Sequence, residues 1–189
     1  MFLEHKYTIE ELIEGCRKGQ RKMQELLYKL LASKMLGVCM RYATDRMEAE
    51  DMLQNGFVKV FKKLDDFRGE GSFEGWVRRI MVHSSIEYYR KNHKMMQVVD
   101  IETAGEEQSV DPVAASNLGV QDLLAIIAQL PPGYKMVFNM YAIEGYSHKE
   151  IGEIMGISEG ASKSQLSRAR GILKEQIYKM EGKKYESVG

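Results

Sequence analysis

Residues 96–117 read MQVVDIETAGEEQSVDPVAASN: five carboxylates (Asp100, Glu102, Glu106, Glu107 and Asp111), no lysine or arginine, no aromatic ring and no apolar repeat. A segment of that make-up has too little apolar surface to offset the entropy of ordering it, so it reads as a linker. It cuts the 189-residue chain into two pieces, each of which must build its own core. The expected organisation is a domain over residues 1–95, the acidic linker over 96–117, a second domain over 118–182 and a polar tail over 183–189. Residues 1–95 carry net charge +4 and residues 118–189 net +1, so the balanced total of 27 basic and 27 acidic side chains conceals a segregation. Charge of one sign along the linker also leaves open a contact with a basic surface.

Both flanking pieces are helical by pattern. Apolar residues recur at spacings of three and four, no stretch sustains a strand alternation, and only three prolines occur, two of them adjacent at Pro131 and Pro132. The expected class is all-α. In the first piece, Thr8 and Glu11 form a capping box for a helix through Leu12, Ile13 and Cys16. A second helix fits Gln20 to Tyr42, with Met23, Leu26, Leu27, Leu30, Leu31, Met35 and Val38 on its apolar face. Asp45 opens a third, carrying Met52, Leu53, Phe57, Val60, Phe61 and Leu64. FRGEGS is a loop with two glycines, and its Ser72 caps a fourth helix with Phe73, Val77, Ile80, Ser84 and Tyr88 in one stripe. In the second piece VQDLLAIIAQL is helical and stops at PPG, and YKMVFNMYAIEG is a further helix ended by Gly145.

The stretch YSHKEIGEIMGISEGASKSQLSRAR follows. Ser147 and Glu150 make another capping box, and Ile151, Ile154 and Met155 supply an apolar face. Gly156 ends that helix in a conformation cheap for glycine, and Ser158 caps the next. In the next helix Ser162, Leu166, Ala169 and Leu173 form one stripe, with Ser164, Ser167, Arg168 and Gly171 opposite and Lys163, Gln165 and Arg170 at the edges. One face packs on a partner helix, and the other is slim, polar and cationic, as entry into a DNA major groove demands. A helical hairpin with a solvated face has the same outline. The sharper detail is Gly152, placed where the two helices must approach most closely. Ser162, inside the apolar stripe, needs a partner, expected to be a backbone carbonyl one turn back.

Other classes find little support. Cys16 and Cys39 are isolated and read as buried, reduced thiols of a cytosolic protein. His5, His83, His93 and His148 are scattered, with no phosphate loop, so no catalytic residue, cofactor or metal is expected. No apolar run is long enough to cross a bilayer, and MFLEHKYTIEEL lacks the basic-then-apolar order of a secretory signal.

GYSHKEIGEIMGISEGASKSQLSRARGILKEQI, together with DRMEAEDMLQNGFVKVFKKLDDFRGEGSFEGWVRRI upstream of it, resembles bacterial RNA polymerase sigma factors of the extracytoplasmic-function (ECF) group of the sigma-70 family. The resemblance covers nearly the whole chain. It implies two small helical domains: a four-helix region 2, which binds core polymerase and reads and melts the minus-ten element, and a helix-turn-helix region 4, which reads the minus-thirty-five element. It places Asp51, Gln54, Asn55, Phe57, Val60 and Phe61 on the helix that docks on the coiled coil of the largest polymerase subunit, at least half of that apolar stripe being core. Arg68, Gly69, Glu70, Gly71 and Ser72 fall in the loop that captures a flipped base. Arg78, Arg79, His83, Arg90 and Lys91 fall where the DNA backbone and duplex edge are gripped, and Trp76 anchors the same helix to the core. Lys163, Ser164, Gln165, Ser167, Arg168 and Arg170 are the implied upstream contacts. The partners implied are core RNA polymerase (largest-subunit coiled coil and second-largest-subunit flap), promoter DNA and an anti-sigma factor, in the cytoplasm and without membrane insertion. The linker would pass through the polymerase as a nucleic-acid mimic. The rival is a stand-alone helix-turn-helix regulator, which needs a ligand or phosphoacceptor domain and a dimer interface that residues 1–95 do not suggest.

Overall fold

The computed structural model describes residues 7–92 and 119–186; the segment 96–117 lies outside them. Among the described residues all regular structure is helical, and the chain divides into two compact units, Met1–Asn92 and His93–Gly189.

The first unit holds α1 (Ile9–Arg17), α2 (Arg21–Met40), α3 (Arg46–Lys62), a 3-10 turn (Leu64–Asp66) and α4 (Phe73–Asn92). The starts of α1, α3 and α4 are fixed by local caps. The Thr8 N–H donates to the Glu11 carboxylate at 2.8 Å while the Glu11 N–H donates to the Thr8 hydroxyl at 3.2 Å, the reciprocal capping box. Asp45 accepts from the Glu48 N–H at 2.8 Å to start α3, and Ser72 accepts from the Gly75 N–H at 3.3 Å to start α4. The core is built from Leu27, Leu31 and Met35 of α2, Met52, Phe57 and Val60 of α3, and Val77, Met81 and Ile86 of α4. Helices α3 and α4 cross at Gly56, where a Cβ would run into the Met81 side chain. Two expectations shift. Leu30 points outward, 46 % exposed. In α4 the buried set takes in Met81, Val82, Ser85 and Ile86 beyond the stripe read from spacing, with Ile80 and Tyr88 only half-buried. The reason is that α4 packs on both α2 and α3, which widens its covered face beyond a single stripe.

The second unit holds α5 (Val120–Ala128), α6 (Pro132–Phe138), a π-helical turn (Asn139–Ile143), α7 (His148–Met155) and α8 (Glu159–Glu186). Helix α8 runs on into the segment read as a polar tail. Pro132 occupies the first turn of α6, where its missing N–H costs no hydrogen bond. Ile126 of α5 and Leu130 just beyond it pack on Ala169 and Leu173 of α8. Helix α7 starts with the Ser147 N–H donating to the Glu150 carboxylate at 2.8 Å and the Glu150 N–H donating to the Ser147 hydroxyl at 3.2 Å. It ends at Gly156, φ +71°, in the left-handed region. Ser158 then accepts from the Ala161 N–H at 3.0 Å to open α8.

The turn between α7 and α8 is tight. A Cβ on Gly152 would sit 2.8 Å from the Ile157 carbonyl oxygen, a backbone atom that cannot swing away. Ser162 is fully buried. Its hydroxyl meets His148 Nδ1 at 2.9 Å rather than a carbonyl of its own helix, so the buried polar group ties the start of α7 to the first turn of α8. The His148 ring stacks on Tyr141 of the π turn at 4.5 Å between centroids. Burial, and then the positive charge of Lys163, hold the His148 pKa below its usual value against the opposing pull of Glu159, and Arg170 adds to the lowering.

Gly152→Val is expected to destabilise the second unit by about 2 kcal/mol, read as lost hydrogen-exchange protection in α7 and α8. By contrast Gly171→Ala, where a Cβ meets nothing within 4 Å, is expected to stabilise α8 by up to about 1 kcal/mol. The lowered His148 pKa favours the neutral ring in the fold. Its contribution is therefore complete above the unfolded value of about 6.5 and is lost as pH falls through the lower folded value. Protection of the α8 amides is expected to fall as the pH drops from about 7.5 to about 5.5, and His148→Gln is expected to flatten that dependence.

Candidate nucleic-acid interface

In the second unit the buried line of α8 is Ser162, Gln165, Leu166, Ala169 and Leu173. The exposed line is Lys163, Ser167, Arg170, Gly171 and Lys174, with Ser164 and Arg168 half-buried beside it. Gln165 is thus a correction to the set of upstream contacts. It is 4 % exposed, and its side chain lies over Gly133 of α6, whose Cβ would come within 3.2 Å of the Gln165 oxygen. A group in that position supports α8 on α6 and offers nothing to a groove. Arg168 leans the same way, its guanidinium donating to the Tyr134 hydroxyl at 3.4 Å. Lys163 pairs with Glu159 one turn earlier at 2.9 Å, an exposed pair that constrains the amine little. Arg170 lies over the Tyr141 ring, 5.7 Å from its centroid. Lys174, on the same exposed line, was not singled out from the sequence; it lies one turn beyond Arg170, and extending the stripe would have found it.

In the first unit the loop Arg68–Ser72 is exposed throughout. Gly69 and Gly71 have φ of +79° and +81°, values that other residues adopt only with strain. Behind the loop the Phe67 ring packs on Phe73 at 5.1 Å and on Trp76 at 5.5 Å between centroids, so Trp76 serves as an anchor. Along α4, Arg79, Arg90 and Lys91 are exposed and Arg78 and His83 half-buried. Burial lowers the His83 pKa; Glu87 opposes it, while the positive charges of Arg79, Lys63 and Lys59 add to the lowering. Those last two lysines come from the end of α3 and extend the cationic face across two helices. The sequence reading missed them because their neighbourhood to α4 is a tertiary fact. Lys59 is also paired with Glu87 at 2.6 Å.

On α3 the six residues assigned to docking separate cleanly. Asp51, Gln54 and Asn55 are exposed. Phe57 and Val60 are core, at 3 % and 0 % exposure, and are corrected from contact residues to packing residues; Phe61 is half-buried. The Phe57 ring packs at a tilt of 56° on Tyr28 of α2, with 4.6 Å between centroids. Asp51 accepts from the Tyr88 hydroxyl at 3.2 Å, and the Asn55 amide donates to the Asp51 carbonyl at 2.9 Å. Next to them a groove of about 300 Å³ runs between α2 and α3, lined by Tyr28, Leu36, Leu53 and Gln54 among others. Cys16 and Cys39 are free and buried, and burial pushes the Cys16 thiol up to about 11, which leaves it unreactive. Among the described residues no helix is long and apolar enough to cross a membrane.

The family model described as Sigma-70 region 2 matches residues 27–95, and the one described as Sigma-70, region 4 matches residues 121–173; together they span more than half of the chain. The chain is 27 % identical over 181 residues to the ECF RNA polymerase sigma-E factor of Haemophilus influenzae, covering 90 % of this chain and 95 % of that one. It is 25 % identical over 188 residues to the RNA polymerase sigma-H factor of Pseudomonas aeruginosa, covering 89 % and 93 %. Among solved structures, the sigma factor RpoE in complex with the anti-sigma factor NepR, from Bartonella quintana, aligns with a TM-score of 0.49 at 22 % identity over 82 % of this chain and 96 % of that one. With region 2 preceding region 4 and relatives matched over nearly their full length, the chain belongs to the sigma-70 family, as a sigma factor of the extracytoplasmic-function group that directs promoter-specific transcription.

Proposed function

We propose that the two units divide the work of promoter recognition. The first docks on the coiled coil of the largest polymerase subunit through the exposed Asp51, Gln54 and Asn55 and the neighbouring groove between α2 and α3. It then holds the minus-ten element against Arg78, Arg79, His83, Arg90 and Lys91, with Lys59 and Lys63 adding charge, while the loop Arg68–Ser72 takes up an unpaired base. The second sets α8 in the major groove of the minus-thirty-five element, led by Lys163, Ser164, Ser167 and Arg170, and also meets the flap of the second-largest subunit. The acidic segment 96–117 joins them as a polyanionic tether through the cationic interior of polymerase. The domain limits proposed are 1–95 and 118–182. The chain has no reaction of its own in this account, works in the cytoplasm, and is open to masking by an anti-sigma factor.

The observation that carries the reading is the division of α8: one face committed to α6 and α7, the other left with Lys163, Ser167, Arg170 and Lys174 outward. The absence of net charge, 27 against 27, fits a protein whose DNA affinity comes through polymerase, since a chain binding phosphates alone gains from a positive excess. Melting then draws on capture of unpaired bases, which recovers the few kcal/mol that unstacking costs.

Run-off transcription with core polymerase on a randomised promoter library tests this. Transcripts are expected to share two separated motifs upstream of the start, and a library without enrichment would count against the assignment. On a selected promoter, Arg170→Ala is expected to cost about 1–3 kcal/mol of holoenzyme affinity and to relax preference in the upstream motif. Gln165→Ala is expected to lower the stability of the second unit while leaving motif preference intact, as filter binding beside thermal denaturation would record.

A further inference from the structure

Helix α1 ends in Arg17, outside the residues matched to region 2, which begin at 27. Its guanidinium reaches across to the far end of α3. One nitrogen, Nη2, donates to the Phe67 carbonyl at 2.8 Å and to the Leu64 carbonyl at 3.2 Å, and Nε lies 3.6 Å from the Asp65 carboxylate. These acceptors belong to the 3-10 turn and to the residue immediately before the loop Arg68–Ser72. The Leu64 carbonyl also accepts the Phe67 N–H at 3.3 Å, so the guanidinium is a second donor there, while at the Phe67 carbonyl, beyond the last residue of the turn, it is a strong charged donor. The other side of Phe67 is held as well, by its ring against Phe73 and Trp76. The loop's far end is fixed where the Trp76 N–H donates to the Ser72 carbonyl at 3.0 Å. Both ends of an exposed five-residue loop, 68–72, are therefore tied down, one of them by a side chain more than forty residues away in sequence.

We propose that Arg17 is a positioning residue for base capture: it fixes the loop's entry so that the backbone around Gly69 and Gly71 is set before an unpaired base arrives. The inference rests on the reading of Arg68–Ser72 as the capturing loop. A loop already ordered loses less freedom when it closes on a ligand, and the gain appears as affinity for the unpaired base. Lysine cannot replace Arg17 here, because a single ammonium on a flexible stem does not reproduce a planar fork that serves two carbonyls and a carboxylate together.

The test has two readouts on the full-length chain. In the first, hydrogen exchange is followed across residues 66–72; Arg17→Gln and Arg17→Lys are both expected to speed exchange there by about tenfold, with α2 and α4 unchanged. Unchanged exchange in this stretch, or an equal rise through the whole first unit, overturns the positioning role. In the second, holoenzyme made with core polymerase is offered duplex DNA bearing a single-stranded extension of randomised bases, and the retained molecules are sequenced. Both variants are expected to lose about tenfold of the selection within the extension while keeping selection within the duplex. Selection equal to that of the natural chain overturns the proposal. A loop variant, Arg68→Ala with Glu70→Ala, separates the two ideas: if it keeps full selection in the extension, the capturing-loop reading is wrong even where Arg17 still governs exchange.

Discussion

Helices α1, α5, α6 and α7 span only seven to nine residues, well short of the ~12–15 at which an isolated helix becomes marginally stable in water. Each persists because one face is covered by a longer partner: α1 by α2, and α5, α6 and α7 by α8. That dependence governs the whole protein. Covering one face of a thin helical unit leaves the opposite face uncommitted, so the surfaces proposed to meet DNA and polymerase are what remains once the small cores are closed. It also explains the close contact at Gly152, where a side chain would push α7 away from the turn that leads into α8, the partner on which that short helix relies.

Much of this was legible in the sequence wherever the cause is local. The capping boxes at Thr8 and Ser147, the cap at Asp45 and the left-handed Gly156 all involve residues within four positions of each other. So does the helical class, which follows from spacing. Gly152 was legible because a glycine inside an otherwise good helix asks for a close neighbour, and the Ile157 carbonyl is that neighbour. What spacing cannot state is which flank of a helix a second partner covers. Gln165 reads as an outward polar residue, yet α6 comes over it at Gly133. Phe57 and Val60 face the same way as a docking stripe but are taken up by the core. Ser162 reads as a group that needs a partner on its own helix, but the His148 ring that meets it is fourteen positions away.

The candidate site shows the same division. Residues named through likeness to the family fall on exposed faces where the fold leaves those faces open, as for Lys163, Ser167, Arg170, Arg79 and Asp51. Those contributed by tertiary neighbours, such as Lys59 and Lys63 beside His83 or Arg17 beside Phe67, carry no signature in their own stretch of chain. Long basic side chains serve here because they bridge between elements. Histidine and serine serve where space is short, between α7 and α8, and burial, with the charge of the neighbouring lysine and arginine, lowers the pKa of that histidine.

The central claim is that this sigma factor recognises DNA as part of polymerase, its two units addressing separate stretches of one promoter. The most direct measurement compares affinity for a selected promoter and for a scrambled duplex, once with the free chain and once with the chain bound to core polymerase, across a range of salt. The account requires weak binding without preference from the free chain and strong preference in the complex. A free chain that prefers the promoter as strongly as the complex does would contradict it.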